Sequence, residues 1–209
     1  MDIAIYGAGF VAGLGLIIAI GAQNLFVLRE ALRGGAVGLV VGVSAVSDAA
    51  LIAIGTGGIG WIEQQLPAVV PALTLGGALF LATHGVQAAR RAWRPAAATV
   101  AIESPATASS RSNRSVLWLT LGFSWLNPHA WLDTTVLIGS LAQSQTQAHG
   151  AGANWVFAAG AASASAVWFS TLAGAAVWMA PWFRRPAVWR ALDATVALIL
   201  CGLAVSLLR

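Results

Sequence analysis

The chain has 209 residues, of which 58% are hydrophobic and only 9% are charged. Soluble domains typically carry about 25% charged residues, so this composition excludes a soluble globular protein and predicts an all-α integral membrane protein. The formal net charge is +4 without a single lysine, and the arginines lie in short loops between apolar runs. This pattern argues against a nucleic-acid-binding protein.

Six apolar segments are long enough to cross a bilayer, whose core of about 30 Å needs about 20 helical residues. In chain order they are 4–28, 36–59, 69–89, 116–140, 154–180 and 191–208. Residues 29–35 are predicted to form the first short loop. The connection at 90–115 is rich in Ala, Ser, Thr and Pro and is predicted to be a poorly ordered linker.

The arginines lie almost entirely on one side of these segments. The first, third and fifth connections hold ten of the eleven arginines, and only Arg209 falls on the opposite side. Positively charged loops stay in the cytoplasm. The pattern therefore predicts six spans with both termini on the non-cytoplasmic side and the 90–115 linker inside.

The two halves of the chain form a weak internal repeat. The first and fourth segments each contain a polar break, at Asn24 and Asn127, and the second and fifth each contain a glycine five positions before a serine. The matching pairs are Gly42 with Ser47, and Gly160 with Ser165. The order of the matching features is the same in both halves.

Three spans per repeat is an odd number, so the second copy must be inverted in the membrane. We therefore predict two inverted three-helix repeats, 1–89 and 116–209, joined by the 90–115 cytoplasmic linker. Inverted repeats with helices interrupted at matching positions are typical of transporters whose substrate site lies between the halves.

Several polar residues lie inside the apolar segments. Pro128 has no N–H, so a helix carbonyl loses its bond there, and beside it Asn127 adds an amide. Inside a bilayer, such a break is tolerated where it lines a cavity. An ionised Asp48 at the centre of the second span would cost about 2.5–3.5 kcal/mol, and Asp133 lies beyond the break on the outward side of the fourth. Intramembrane carboxylates indicate functional sites. The alternative for Asp48 is structural, with serines of the second or fifth segment holding it.

Three further polar residues have two interpretations each. His129 is a candidate gate or proton relay. It lies four positions before Asp133, on one helix face if the helix continues through Pro128, so the two could also be read as a metal pair. Two ligands do not make a metal site, so neither a metal nor another cofactor is predicted. His84 could relay protons or be a hydrogen-bonded structural residue. Asp193 is placed at the start of the sixth span, where the helix dipole favours an acid, with a gate as the alternative.

Two kinds of residue are assigned to packing. The deep tryptophans Trp125, Trp131 and Trp168 are predicted to fill helix–helix interfaces rather than to line a pocket. Small residues are dense in the first and fifth segments, where they allow helices to approach closely.

Four stretches carry a resemblance to a known family: "IGAQNLFVLREALRGG", "VSDAALI", "SWLNPHAWLDTTVLIGS" and "VFAAGAASASAVWF". Together they resemble the lysine/arginine exporter family of the LysE type, over nearly the whole chain. The resemblance implies a bacterial inner-membrane exporter of basic amino acids that is driven by the proton gradient. The family's acidic second-span position matches Asp48, and its fourth-span Asn-Pro and Asp match Asn127, Pro128 and Asp133.

The resulting hypothesis is an alternating-access exporter of L-arginine or L-lysine. The substrate's side-chain cation would meet Asp48 or Asp133, while the amides of Gln23, Asn24 and Asn127 and the broken backbone hold its head group. Protons are the coupling partner, membrane lipid surrounds the protein, and no nucleic acid is involved. The sequence leaves open whether the chain forms a homo-oligomer.

Three alternative functions compete with this hypothesis. An exporter of neutral amino acids or related metabolites is the nearest, because Asp193 replaces the family's usual asparagine and leaves the substrate preference open. Ala22, in place of the usual proline, predicts a softer first break. An intramembrane aspartyl protease would use Asp48 and Asp133, but the Gly-x-Gly-Asp signature of such enzymes is absent at Asp48. A non-transporting scaffold gives no reason for two carboxylates and two matched breaks.

Overall fold

The computed structural model describes residues 2–18, 21–65, 69–93, 112–127, 130–182 and 186–206. Within these ranges, the regular structure consists of eight α-helices and one π-helical segment. They are α1 (Asp2–Ile17), α2 (Ala22–Leu32), α3 (Val37–Gln65), α4 (Val69–Ala92), α5 (Asn113–Trp125), the π-helix (Trp131–Leu137), α6 (Ile138–His149), α7 (Ala153–Met179) and α8 (Pro186–Ser206).

Three of the described helices are long and apolar enough to cross a membrane by themselves. They cover Val37–Gly58, Ala153–Met179 and Ala187–Val205, and the bent pair of α1 and α2 would make a fourth crossing. The predicted spans 69–89 and 116–140 correspond to α4 and to the chain from α5 to α6. The protein is thus an all-helical membrane protein, while the count of six spans stays a prediction.

Both predicted helix breaks are present. In the first span, α1 ends at Ile17 and α2 starts at Ala22, with the two helix axes 80° apart. The break lies a few residues earlier than expected, because Leu25 N donates to Gly21 O and the predicted break residues already form the first turn of α2. In the fourth span, α5 ends at Trp125 and the π-helix starts only at 131.

The ends of two helices differ from the sequence-based prediction. The predicted loop 29–35 was wrong in its first half, because α2 continues to Leu32 and buries Arg29. Helix α8 starts at Pro186, so Asp193 lies about two turns inside it and is fully buried. The helix-dipole explanation of Asp193 is therefore wrong.

Glycines allow α1 to lie directly against α7. A Cβ atom on Gly9 would collide with the backbone of Phe157, and one on Gly13 would collide with the backbone of Ala161. From the other side, a Cβ on Gly160 would meet the backbone of α1. This close approach is the packing predicted from the small residues. Helices α3 and α7 pack against each other, and α4 packs along α8.

Candidate functional site

A cavity of ≈ 260 Å³ lies where the two helix breaks meet. Ile17 and Gly21 from the first break line it, together with Asn127 and Ala130 from the second. Small-molecule sites typically enclose about 300–1,000 Å³, so this space suits a small metabolite rather than a large ligand. We call it the central cavity.

Asp48 is the carboxylate of the central cavity and is only 3% exposed. It lies on α3, and two neighbouring elements each donate one hydrogen bond to it. Gln23 Nε2 on α2 donates to Oδ1 at 3.3 Å, and Ser165 Oγ on α7 donates to Oδ2 at 2.6 Å. The carboxylate thus joins the first break to the fifth predicted span.

The electrostatics of the central cavity are set by Asp48. Of the described residues that line the cavity, it is the one that can ionise, and none of the described basic side chains forms an ion pair with it. Its two hydrogen-bond donors, Gln23 and Ser165, are neutral. Burying a carboxylate without a cation is costly, so such a site attracts a positively charged group.

All three predicted amides line the central cavity: Gln23, which donates to Asp48, and Asn24 and Asn127. Asn24 donates from Nδ2 to the carbonyl of Ile17 at 2.7 Å and accepts from the Trp168 indole at 3.1 Å. Asn127 is 6% exposed, and its backbone carbonyl accepts from Trp131 N at 3.3 Å. Asn24 therefore closes a helix break as well as facing the cavity.

The second break brings some predicted residues near the cavity and leaves others undefined. Pro128 and His129 lie outside the described residues. The backbone of Asp133 belongs to the π-helix, but its side chain is outside the described part. Because α5 ends at Trp125, no continuous helix carries Trp125, His129 and Asp133 on one face. Thr134, which sequence reasoning missed, lines the cavity.

The deep tryptophans do more than fill interfaces. Trp125 Nε1 donates to Ser47 Oγ at 3.1 Å, and Trp131 Nε1 donates to the carbonyl of Trp125 at 2.9 Å. Trp168 lies three positions after Ser165 on α7, a spacing that puts both on one helix face. That spacing was the sequence signal that would have placed Trp168 near the site.

His84 lies away from the central cavity. It borders a second cavity of ≈ 110 Å³, its Nδ1 is 2.9 Å from Phe80 O, and its ring packs on Phe80 and Phe123. Within the described part of the chain, no group of three or more His, Cys, Asp or Glu side chains forms a metal site.

A buried ion pair joins α2 to α8. Arg29, 7% exposed, contacts the carboxylate of Asp193, which is fully buried. Nearby, the Arg33 guanidinium lies 5.9 Å from the centre of the Trp189 ring, and Arg190 Nε donates to Ala92 O. The arginines of the first and fifth connections, both predicted to be cytoplasmic, therefore meet at the same end of the bundle, which we call the arginine end.

Comparison with known proteins gives a match over nearly the whole chain. The profile of the LysE type translocator family matches residues 14–209. A candidate amino-acid transporter of Mycobacterium tuberculosis is 40% identical over 91% of this chain and 90% of its own length. The lysine exporter LysE of Corynebacterium efficiens is 32% identical over 98% of each chain. The arginine exporter protein ArgO of Pectobacterium atrosepticum is 34% identical over 99% of this chain and 97% of its own.

No solved structure matches the chain.

Proposed function

The chain belongs to the LysE type translocator family, and from this premise we propose that it exports basic amino acids through the central cavity. It is a multi-pass membrane transporter and not an enzyme, so the hypothesis of an intramembrane protease was wrong. Two of its relatives are named as exporters of lysine and of arginine. The observation that carries the proposal is the buried Asp48 carboxylate, which lines the cavity between two broken helices.

The contacts between helices support two inverted repeats, 1–89 and 116–209. Helix α7 of the second half packs on both pieces of the first broken span, α1 and α2. In the same way, α3 of the first half packs on α5 and on the π-helix of the second broken span. The pairs α3 with α7 and α4 with α8 join corresponding elements of the two halves. This exchange of partners is the pattern that a two-fold axis in the membrane plane produces.

The charge of Asp48 favours a cationic substrate. Coulomb attraction is stronger in a low-dielectric site than in water, and a cation that pairs with Asp48 also removes the cost of its burial. A lysine or arginine side chain offers that cation. Asp133, on the π-helix that borders the cavity, is proposed as a second acidic group of the same pathway.

The break before α2 offers a place for the substrate's head group. Gly21 at the N-cap of α2 lines the cavity and has no side chain that could cap the N–H groups of the first turn. Backbone N–H groups in the first turn of a helix favour a carboxylate, and transporters with broken helices use this arrangement. We assign the amides of Gln23, Asn24 and Asn127, with the backbone at Pro128, to the same head group.

Proton coupling and gating complete the proposed cycle. A proton and a substrate cation would compete for the same buried carboxylate, so release of the substrate on the outside would be followed by return of the protonated carrier. The Arg29–Asp193 pair joins α2 to α8 and is proposed as the gate at the arginine end. His84 and His129 are kept as candidate relays of protons, His84 at the second cavity.

Efflux from proteoliposomes tests the function directly. Purified protein is reconstituted into liposomes that are loaded with labelled arginine, lysine, leucine or alanine. Efflux of the label is then measured with and without a proton gradient. We expect arginine or lysine efflux that the gradient accelerates, and Asp48→Asn protein is the matched control. The cavity also has an apolar wall that includes Ile52 and Phe169, so efflux of leucine or alanine alone would replace the basic-substrate proposal with a neutral one.

A further inference from the structure

Each helix break is closed by a side chain from the half-helix that follows it. The last carbonyl of α1, on Ile17, accepts a hydrogen bond from Asn24 Nδ2 at 2.7 Å. The last carbonyl of α5, on Trp125, accepts one from Trp131 Nε1 at 2.9 Å. Terminal carbonyls have no partner within their helix, and inside a bilayer they need one from elsewhere. We call these two contacts the carbonyl braces.

At each break, an indole hydrogen bond also connects the residues of the carbonyl brace to the middle helix of the other half of the chain, α7 or α3. The Trp168 indole on α7 donates to Asn24 Oδ1 at 3.1 Å. The Trp125 indole donates to Ser47 Oγ on α3, also at 3.1 Å. Helix α7 of the second half therefore holds the break of the first half, and α3 of the first half holds the break of the second. Both breaks thus combine a side-chain contact to a terminal carbonyl with an indole hydrogen bond between the halves. At the first break the indole belongs to α7 of the other half, and at the second it belongs to α5 itself.

The two indole hydrogen bonds, from Trp168 to Asn24 and from Trp125 to Ser47, flank the carboxylate of the central cavity. Ser47 directly precedes Asp48 on α3, and Trp168 lies less than one turn after Ser165 on α7. Ser165 in turn donates to Asp48 Oδ2 at 2.6 Å. The indole bonds therefore fix where each broken helix lies relative to Asp48, although none of the three tryptophans is among the residues found to line the central cavity.

We propose that Trp125, Trp131 and Trp168 are positioning residues for substrate binding. Their N–H groups hold the two half-helix ends beside Asp48, so that the remaining backbone groups at the breaks face the substrate. The inference rests on the proposed function, because it concerns how the central cavity is kept in its binding geometry. Replacing an indole by a phenyl ring removes the N–H donor and leaves an aromatic ring in place.

Trp168→Phe and Trp131→Phe test the proposal in reconstituted protein. We expect the KM for labelled arginine or lysine to rise about threefold to tenfold, the range covered by loss of one hydrogen bond, with a smaller change in maximal rate. The matched control is Trp178→Phe, which changes an exposed indole on the same helix as Trp168 and should leave KM unchanged. A purely structural role would lower the yield of folded protein but not the KM of the protein that remains.

A double-mutant cycle separates the hydrogen bond from general packing. Trp125→Phe and Ser47→Ala remove the two partners of one bond, so the double variant should have the same KM as either single variant. Ser47→Ala removes only a hydroxyl group, and it therefore tests the hydrogen bond from Trp125 even if a tryptophan variant fails to insert. Fully additive effects on KM would overturn the proposal.

The outcomes distinguish this inference from the function on which it rests. Wild-type protein that transports none of the tested amino acids would reject the proposed function. Active wild-type protein with an unchanged KM in Trp131→Phe, Trp168→Phe and Ser47→Ala would reject the positioning role alone. A raised KM that direct binding of the labelled amino acid reproduces in detergent would support it.

Discussion

Three buried carboxylates in the described part of the chain have different surroundings. Asp193 contacts Arg29, and Glu30 lies on the same helix as that arginine. Among the described residues, the donors to Asp48 are the neutral Gln23 and Ser165. A cation that enters the protein would gain most at Asp48, because its charge has no ionic partner among the described residues.

We expect Asp48→Asn to insert and fold but to export basic amino acids at least about tenfold more slowly, since charge-assisted hydrogen bonds contribute about 1.5–3 kcal/mol. The amide can keep both neighbours: its oxygen accepts from Ser165, and its NH₂ group donates to Gln23 once that amide rotates. Efflux from proteoliposomes and the melting temperature in detergent give the two readouts.

The controls for this prediction are one conservative and one remote substitution. Asp48→Glu keeps the charge and should retain part of the activity. Asp2→Asn removes an exposed acid at the start of α1 and should change nothing. Wild-type export by Asp48→Asn, with an unchanged response to the proton gradient, would show that Asp48 is structural.

The sequence revealed the acidic and amide residues of the site better than its aromatic ones. Asp48, Gln23 and Asn24 were detected because polar groups are expensive in an apolar segment. Trp168 and Trp131 were assigned to packing, because an indole ring hides its N–H within an apolar pattern. The acceptor of that N–H can be identified only once the fold brings distant helices together.

At the level of elements, the helix break that contains a proline was predicted more accurately than the break that lacks one. The break predicted beside Pro128 is present in the described residues, because α5 ends at Trp125 and both Leu126 and Asn127 lie outside any helix. The first break has Ala22 where the related pattern has proline, and its position was misjudged by a few residues. Without a proline, the end of α1 depends on the Asn24 contact with Ile17, which only the folded chain shows.

The Arg29–Asp193 pair between α2 and α8 should stabilise the fold only as a pair. Removing one partner of a buried ion pair leaves the other charge uncompensated and costs about 3–5 kcal/mol. We therefore expect Asp193→Asn to lower the melting temperature in detergent by roughly 6–20 °C. The double variant Arg29→Gln with Asp193→Asn should be more stable than either single variant.

Arg190→Gln is the matched control for this pair, because Arg190 is exposed and lies on the same helix as Asp193. It should shift the melting temperature very little. Additive losses in the double variant would mean that Arg29 and Asp193 do not act as a pair. A stable double variant that leaks substrate without a proton gradient would support the gate at the arginine end.

Across the whole molecule, the arginine end gives the bundle a direction. Arg29, Arg33 and Arg190 come from loops predicted to be cytoplasmic and lie together in the folded chain. The sequence predicted this side from charge alone. It did not show that Arg29 turns inward, because a loop arginine and a buried arginine look alike in a sequence.

Reporter fusions test the predicted topology of the whole chain. Ten of the eleven arginines fall in connections assigned to the cytoplasm, so we expect both termini outside and the 90–115 linker inside. Alkaline phosphatase, which is active only outside, should work at either terminus, and green fluorescent protein should fluoresce when inserted near residue 105. A cytoplasmic C-terminus together with an outside N-terminus would give an odd number of spans, and both the six-span count and the inverted repeat would then be wrong.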